Sequence, residues 1–358
     1  MRSRSLVAGI LLVIVAVFSQ CSNEIEVIGA WKEIPIVYGI LEQGPGPHYI
    51  RIEKAYLPPD TSAYSVAQKP DSIYFGANDI EVELFMNGAL YETLERINLD
   101  TVGLPKDSGT FAKSPNIAYR MNKTVIAQRD FQLLITNLKT GETYSSEESS
   151  MRLGSPNSLG YSEFGIVTPS SFKALQWSDA NFEMKDVRFD WRKEETGAAI
   201  YDLTLRFHYG EFQVDAFDQE INGTREFKYM DWMPVQSIYE APSVAQSING
   251  SRFYDFVANN FTDITGTNTR RCVVSMDVIV DGATPSLAEY IKANSANSGL
   301  IGGLYPLEPY SNVEGGYGML AFKKRIIKSL DLDSDVALYL NTIPEMKSLG
   351  FVGYKCFK

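Results

Sequence analysis

Histidine is almost absent from this sequence: His48 and His208 are the only two in 358 residues. A Ser-His-Asp triad or a histidine-based metal site would have to be built around one of them alone, because they fall in different halves of the chain. Basic residues are also in deficit, 33 Lys and Arg against 44 Asp and Glu, for a formal net charge of −11. The chain therefore has no basic footprint for nucleic acid, anionic lipid would repel it, and its partners are expected to be neutral or basic. No phosphate cradle is legible either. Gly315-Gly316-Tyr317-Gly318 lacks the following Lys-Ser/Thr of a P-loop, and a strand-like run, Met319 to Phe322, comes next.

An apolar run opens the chain, and it is short. Arg2 and Arg4 precede Leu6 to Phe18, thirteen residues that would rise about 20 Å as a helix, less than the roughly 20 residues a bilayer core needs. Residues 1–20 therefore read as a secretory signal. Cys21 at its edge suggests lipoprotein processing, although Gln20 departs from the small residue usual before such a cysteine. Acylation of Cys21 would anchor the body to the outer membrane, since each buried methylene contributes about 0.8 kcal/mol. Residues 21–30 form an acidic tether, and loss of the two signal arginines takes the net charge to −13. The remaining cysteines, Cys272 and Cys356, are either a disulfide in an oxidising compartment or two small buried thiols; spacing alone does not choose.

The body reads as mainly β, in two domains. Ile34–Leu41 and His48–Tyr56 are strands separated by a Gly- and Pro-rich loop, and the second shows strict alternation. Ile80–Met86, Asn87-Gly88 and Ala89–Ile97 form a hairpin. Asn98 to Lys123 looks irregular, and Phe131–Thr136 and Glu142–Ser146 flank a turn. This pattern predicts an immunoglobulin-like sandwich over residues 31–150. Residues 151–163 read as a linker, and 164–358 as a fibronectin-like sandwich with helical insertions at Ser251–Asn260, Ser286–Ala293 and Ser334–Thr342. Strands are expected at Val187–Trp191, Ala199–Tyr209 and Arg271–Val280.

Candidate chemistry is thin. His208 shares an outward strand face with Arg206 and reads as solvated. Asp331, Asp333 and Asp335 have calcium-loop spacing, but Val336 and Thr342 replace the glycine and glutamate such a loop requires, so a helix cap at Ser334 or Asp335 is the simpler reading. Glu194-Glu195 reads as a charged turn. Met230 to Pro234 is a candidate exposed aromatic loop among the four tryptophans Trp31, Trp177, Trp191 and Trp232. Lys323, Lys324, Arg325 and Lys328 read as a charged strand end. No catalytic residue, cofactor or metal is expected.

Ile36 to Leu41, Tyr49 to Leu57 and, above all, Glu308 to Met319 resemble an uncharacterised family of Bacteroidetes outer-membrane lipoproteins, a domain of unknown function often encoded beside TonB-dependent receptors. The resemblance implies a surface-exposed, lipid-anchored, non-enzymatic accessory or binding subunit of such a transporter. A structural adhesin or fimbrial subunit is the alternative, and a surface hydrolase the third.

Overall fold

A computed structural model of the chain describes residues 33–55, 62–151, 174–192, 197–235, 237–239, 243–298 and 309–357. The first half contains β1 (Ile34–Glu42), β2 (His48–Ala55), α1 (Ala63–Ala67), α2 (Pro70–Ile73), β3 (Ile80–Met86), β4 (Ala89–Thr93), β5 (Glu95–Asn98), β6 (Ile117–Met121), β7 (Asp130–Asn137) and β8 (Thr143–Ser149). The second contains β9 (Ala174–Leu175), β10 (Asp186–Arg192), β11 (Ile200–Gln213), β12 (Glu226–Trp232), β13 (Ile238–Tyr239), β14 (Ser243–Asn249), α3 (Gly250–Asn260), β15 (Thr269–Ala283), α4 (Pro285–Ser298), β16 (Val313–Glu314), β17 (Tyr317–Leu332), α5 (Ser334–Thr342), α6 (Pro344–Lys347) and β18 (Phe351–Lys355). The protein is mainly β.

Local chemistry sets the hairpins. Asn87 and Gly88 both take positive φ, 51° and 80°, as a two-residue turn matched to strand twist requires. The Asn87 side chain also accepts the Asp130 amide, tying the turn to β7. At the next turn the Asn137 carboxamide oxygen accepts the amides of Lys139 and Thr140, and Gly141 supplies the left-handed residue.

The order β1-β2-β6-β5 in one sheet and β8-β7-β3-β4 in the other is the A-B-E-D and G-F-C-C′ arrangement of an immunoglobulin sandwich. Alternation buries Val37, Leu41, Ile50 and Ile52 from one sheet against Val82, Leu84, Leu133 and Ile135 from the other. β4 and β5 follow one another yet lie in different sheets, closing one side of the sandwich. The other side is closed by the C-terminal half. β16 pairs with β8, the chain bends at Gly315-Gly316, and β17 then runs parallel to β1 from Ile36↔Tyr317 to Glu42↔Lys323. That bend explains the glycines: Gly318 has φ +94°, and a Cβ there would collide with the carbonyl of Val37.

Beyond the sandwich, β17 continues beside β15, which pairs with β11 and then β12, so one eleven-stranded sheet runs through both halves. Tyr201, Leu203, Leu205 and Phe207 of β11 bury their face with Val278 and Val280 of β15. The opposing layer is the two-stranded antiparallel sheet of β10 and β14 with α3 and α5, which contribute Phe189, Ile248, Phe253, Val257, Val336 and Leu340. Two cores thus exist, but the boundary expected near Ser150 does not divide the sheet, and Ile34–Lys358 form one compact unit. The expected tether and nearly all of the expected linker lie outside the described residues.

Two local expectations are corrected. The stretch from Asn98 to Lys123 contains β6, because Tyr119 and Met121 fill the sandwich core between β2 and β5. Met230, Asp231 and Trp232 belong to β12 rather than to a loop: Trp232 is half-buried and stacks on Phe256 at 5.3 Å between ring centroids, leaving only Met233 strongly exposed.

Candidate functional site

The outer face of the long sheet gathers the polar groups that a function could use. Cross-strand register places Arg206 and His208 of β11 opposite Asp231 and Tyr229 of β12 and opposite Asp277 and Ser275 of β15. Asp277 in turn faces Ser329 of β17. The His208 ring, 12% exposed at its side chain, donates from Nε2 to Asp277 Oδ2 at 2.7 Å. The Ser329 hydroxyl donates to the other oxygen of the same carboxylate. His208 is therefore paired and half-buried, not solvated as its alternation alone predicts.

Connectivity decides what this trio can do. In a hydrolytic triad the histidine lies between serine and carboxylate and takes the serine proton. Here the carboxylate lies in the middle and accepts from both neighbours, so the trio fixes a charge on the sheet without activating Ser329. Arg206 grips Asp231 through two bonds, Nε at 2.7 Å and the terminal nitrogen at 2.9 Å, while lying 4.1 Å over the Tyr229 ring. The hydrogen bonds from Arg206 hold the Asp231 carboxyl below the usual carboxylate range. Arg325 makes the same two-bond grip on Asp281, both bonds at 2.8 Å. The same face of the sheet also presents Phe227 and Tyr229 on β12, Ile327 on β17, and Tyr38 and Ile40 on β1, all exposed.

The residues singled out from sequence fall as follows. Cys21 and Glu194-Glu195 lie outside the described residues, as does Trp31. Cys272 and Cys356 are joined by a disulfide, with Cα atoms 5.7 Å apart, in a small core with Phe212 and Val214. His48 is buried with Nε2 3.2 Å from the Gly44 carbonyl, and burial pulls its pKa down. The helix cap is Asp333, one residue before Ser334: its carboxylate accepts the Asp335 amide at 3.0 Å. Lys323 and Arg325 are in the body of β17 rather than at a strand end, facing Glu42 and Asp281. Trp177 is fully buried, stacked on Phe253 at 5.1 Å. Sequence reasoning missed Asp277 and Ser329, whose alternation on β15 and β17 is legible only once their pairing partners are known.

Among the described residues no group of three His, Cys, Asp or Glu side chains is placed to hold a metal ion. A cleft of about 390 Å³ beside β7 and β8 is lined by Asp130, Phe131, Gln132, Glu147 and Glu148. Its carboxylates already accept from Ser149, Gln132 and Ser286. No protein-family model matches the sequence, and no curated protein matches it.

Proposed function

We propose that the protein is a lipid-anchored outer-membrane subunit that works by binding, docking through the outer sheet face onto a TonB-dependent transporter. The exposed aromatic and aliphatic side chains of that face carry the reading, because a broad surface of Tyr, Phe and Ile interleaved with fixed ion pairs has the composition of a protein contact. The signal stretch ending at Cys21 and the resemblance of Glu308 to Met319 to the lipoprotein family support the anchor and the choice of partner.

The adhesin alternative needs a strand-accepting groove or an unpaired sheet edge. The sandwich edge between β1 and β8 is already filled by β16 and β17, so among the described residues the alternative rests on the terminal strands β12, β5 and β4. Affinity purification of the tagged full-length protein from gently solubilised outer membranes separates the two. A stoichiometric TonB-dependent receptor in the eluate supports the accessory subunit, and recovery alone or as a self-polymer overturns it. Cys21→Ser should abolish labelling by palmitate and release the protein from the membrane fraction.

A further inference from the structure

A second polar site lies on the outer side of β2, away from His208. In the β1–β2 ladder Arg51 stands opposite Tyr38 and Glu53 opposite Ile36, and alternation puts all four on one side. That position predicts a solvated carboxylate, yet Glu53 is only 9% exposed. Its nearest cation is Arg51 Nε at 3.9 Å, beyond hydrogen-bond distance. One terminal nitrogen of the Arg51 guanidinium donates to Asn116 Oδ1 at 2.7 Å. Lys106 acts on Glu53 electrostatically but has no carboxylate partner among the described residues; its ammonium lies 5.1 Å from the Phe111 ring centroid.

Tyr74, at the end of α2, supplies an independent sign. It is 4% exposed, and its hydroxyl has no hydrogen-bond partner. The backbone of Ile117 approaches without meeting hydrogen-bond geometry, while Glu53 and Arg51 are within electrostatic reach. Buried polar groups are nearly always satisfied, so an orphaned hydroxyl beside an underpaired carboxylate asks what satisfies them. Burial pushes the Glu53 carboxyl above its ordinary range and pulls Lys106 below its own, and the attraction of Arg51 and Lys106 for Glu53 offsets that burial only in part.

We propose that Glu53, Tyr74, Lys106 and Arg51 form a binding site for a small zwitterion, an α-amino acid whose ammonium meets Glu53 and whose carboxylate meets Lys106 and Arg51. The charges select this class. A simple cation would face Arg51 and Lys106, and a simple anion would face Glu53. A neutral polyol would satisfy hydrogen bonds and add nothing to the partial compensation of either charge. Tyr38, 41% exposed, offers a ring at the rim for the ligand's side chain.

Calorimetric titration of the detergent-solubilised full-length protein with glycine, alanine and leucine tests the site, with leucine methyl ester, N-acetyl-leucine and glucose as controls. Saturable binding of at least one free amino acid is expected. For leucine, blocking either end should weaken binding by at least about tenfold, the loss of one charge-assisted contact. Glu53→Gln should weaken the amino acid by a similar factor, and Tyr74→Phe by a smaller one, with unchanged far-UV circular dichroism. If Glu53→Gln misfolds, Lys106→Met on its exposed loop carries the same test. Absence of saturable binding by all three amino acids, equal binding of the blocked forms, or binding of glucose alone overturns the proposal.

Discussion

Arg271 offers the sharpest test of how the second core is held. It is 5% exposed at the start of β15 and reaches three separate segments. Its Nε donates to Glu211 Oε2 of β11 at 3.0 Å, and one terminal nitrogen donates to the carbonyls of Thr262 and Leu349, both at 2.9 Å. The guanidinium also lies 5.2 Å from the Phe261 ring centroid. Arg271→Met keeps most of the apolar stem and removes every donor. Breaking a buried ion pair costs about 3–5 kcal/mol, and each stranded carbonyl adds about 1–3 kcal/mol that does not sum fully. Lys228, 2.7 Å from Glu211 Oε1, still compensates the carboxylate and keeps the loss near the lower figure. We expect a fall of about 3–4 kcal/mol in urea unfolding followed by circular dichroism, with little change in slope.

The same pair fixes the acid response. Burial alone would raise the Glu211 carboxyl, but the hydrogen bonds from Lys228 and Arg271 outweigh it and hold the group below its ordinary value of 4.5. A depressed folded pKa contributes stability that is present above the unfolded value and lost as pH falls through the folded one. The Arg271→Met protein should therefore lose less stability than the wild type as pH falls below about 4.5. A loss under about 1 kcal/mol at neutral pH, the range of a surface pair, would refute the reasoning.

Three further perturbations follow from the packing. Gly318→Ala forces a Cβ against the Val37 carbonyl at a positive φ and should destabilise by at least about 3 kcal/mol in thermal melts, whereas the same change at Gly109, which has nothing within 4 Å, should be nearly silent. Reduction of the disulfide, or Cys272→Ser with Cys356→Ser, opens an 84-residue span; the chain-entropy model puts the loss at about 4 kcal/mol, read by melting with and without reductant. Glu53 titrates with the opposite sign to Glu211: its raised folded pKa means that stability present in acid is lost as pH rises through it. In the absence of ligand, Glu53→Gln should therefore compare more favourably with the wild type at pH 7 than at pH 4, by the difference in melting temperature.

What was legible in the sequence was what depends on neighbours along the chain. Asn87-Gly88 and the alternation of His48–Ala55 specify a turn and a strand with no knowledge of the rest, and both are present. The missed features depend on partners far away. Lys323-Lys324-Arg325 interrupts an apolar run and looks like a strand end, yet β17 continues because Glu42 and Asp281 meet two of those cations. Glu53 sits in a clean alternating strand and reads as solvated; Tyr74 and Lys106, which alter its surroundings, come from other segments. Cys272 and Cys356 are brought together by the register of β18 on β15, which their spacing does not encode.

The shared strand has one consequence for folding. A fragment ending at Met151 would hold all eight strands of the sandwich, and by sequence it should be a domain. It would lack Val313, Leu320 and Phe322, each at most 5% exposed in the sandwich core, and burial of such side chains contributes about 1.5–3 kcal/mol apiece. The loss, about 5–9 kcal/mol, is comparable to the whole stability of a typical domain. The edges of β1 and β8 would also be left as open templates for other chains. The fragment should therefore self-associate, and a peptide spanning Ser311 to Lys324 should restore a monomer by occupying both edges. A soluble, cooperatively melting monomer without the peptide would show that the sandwich does not need its partner strands.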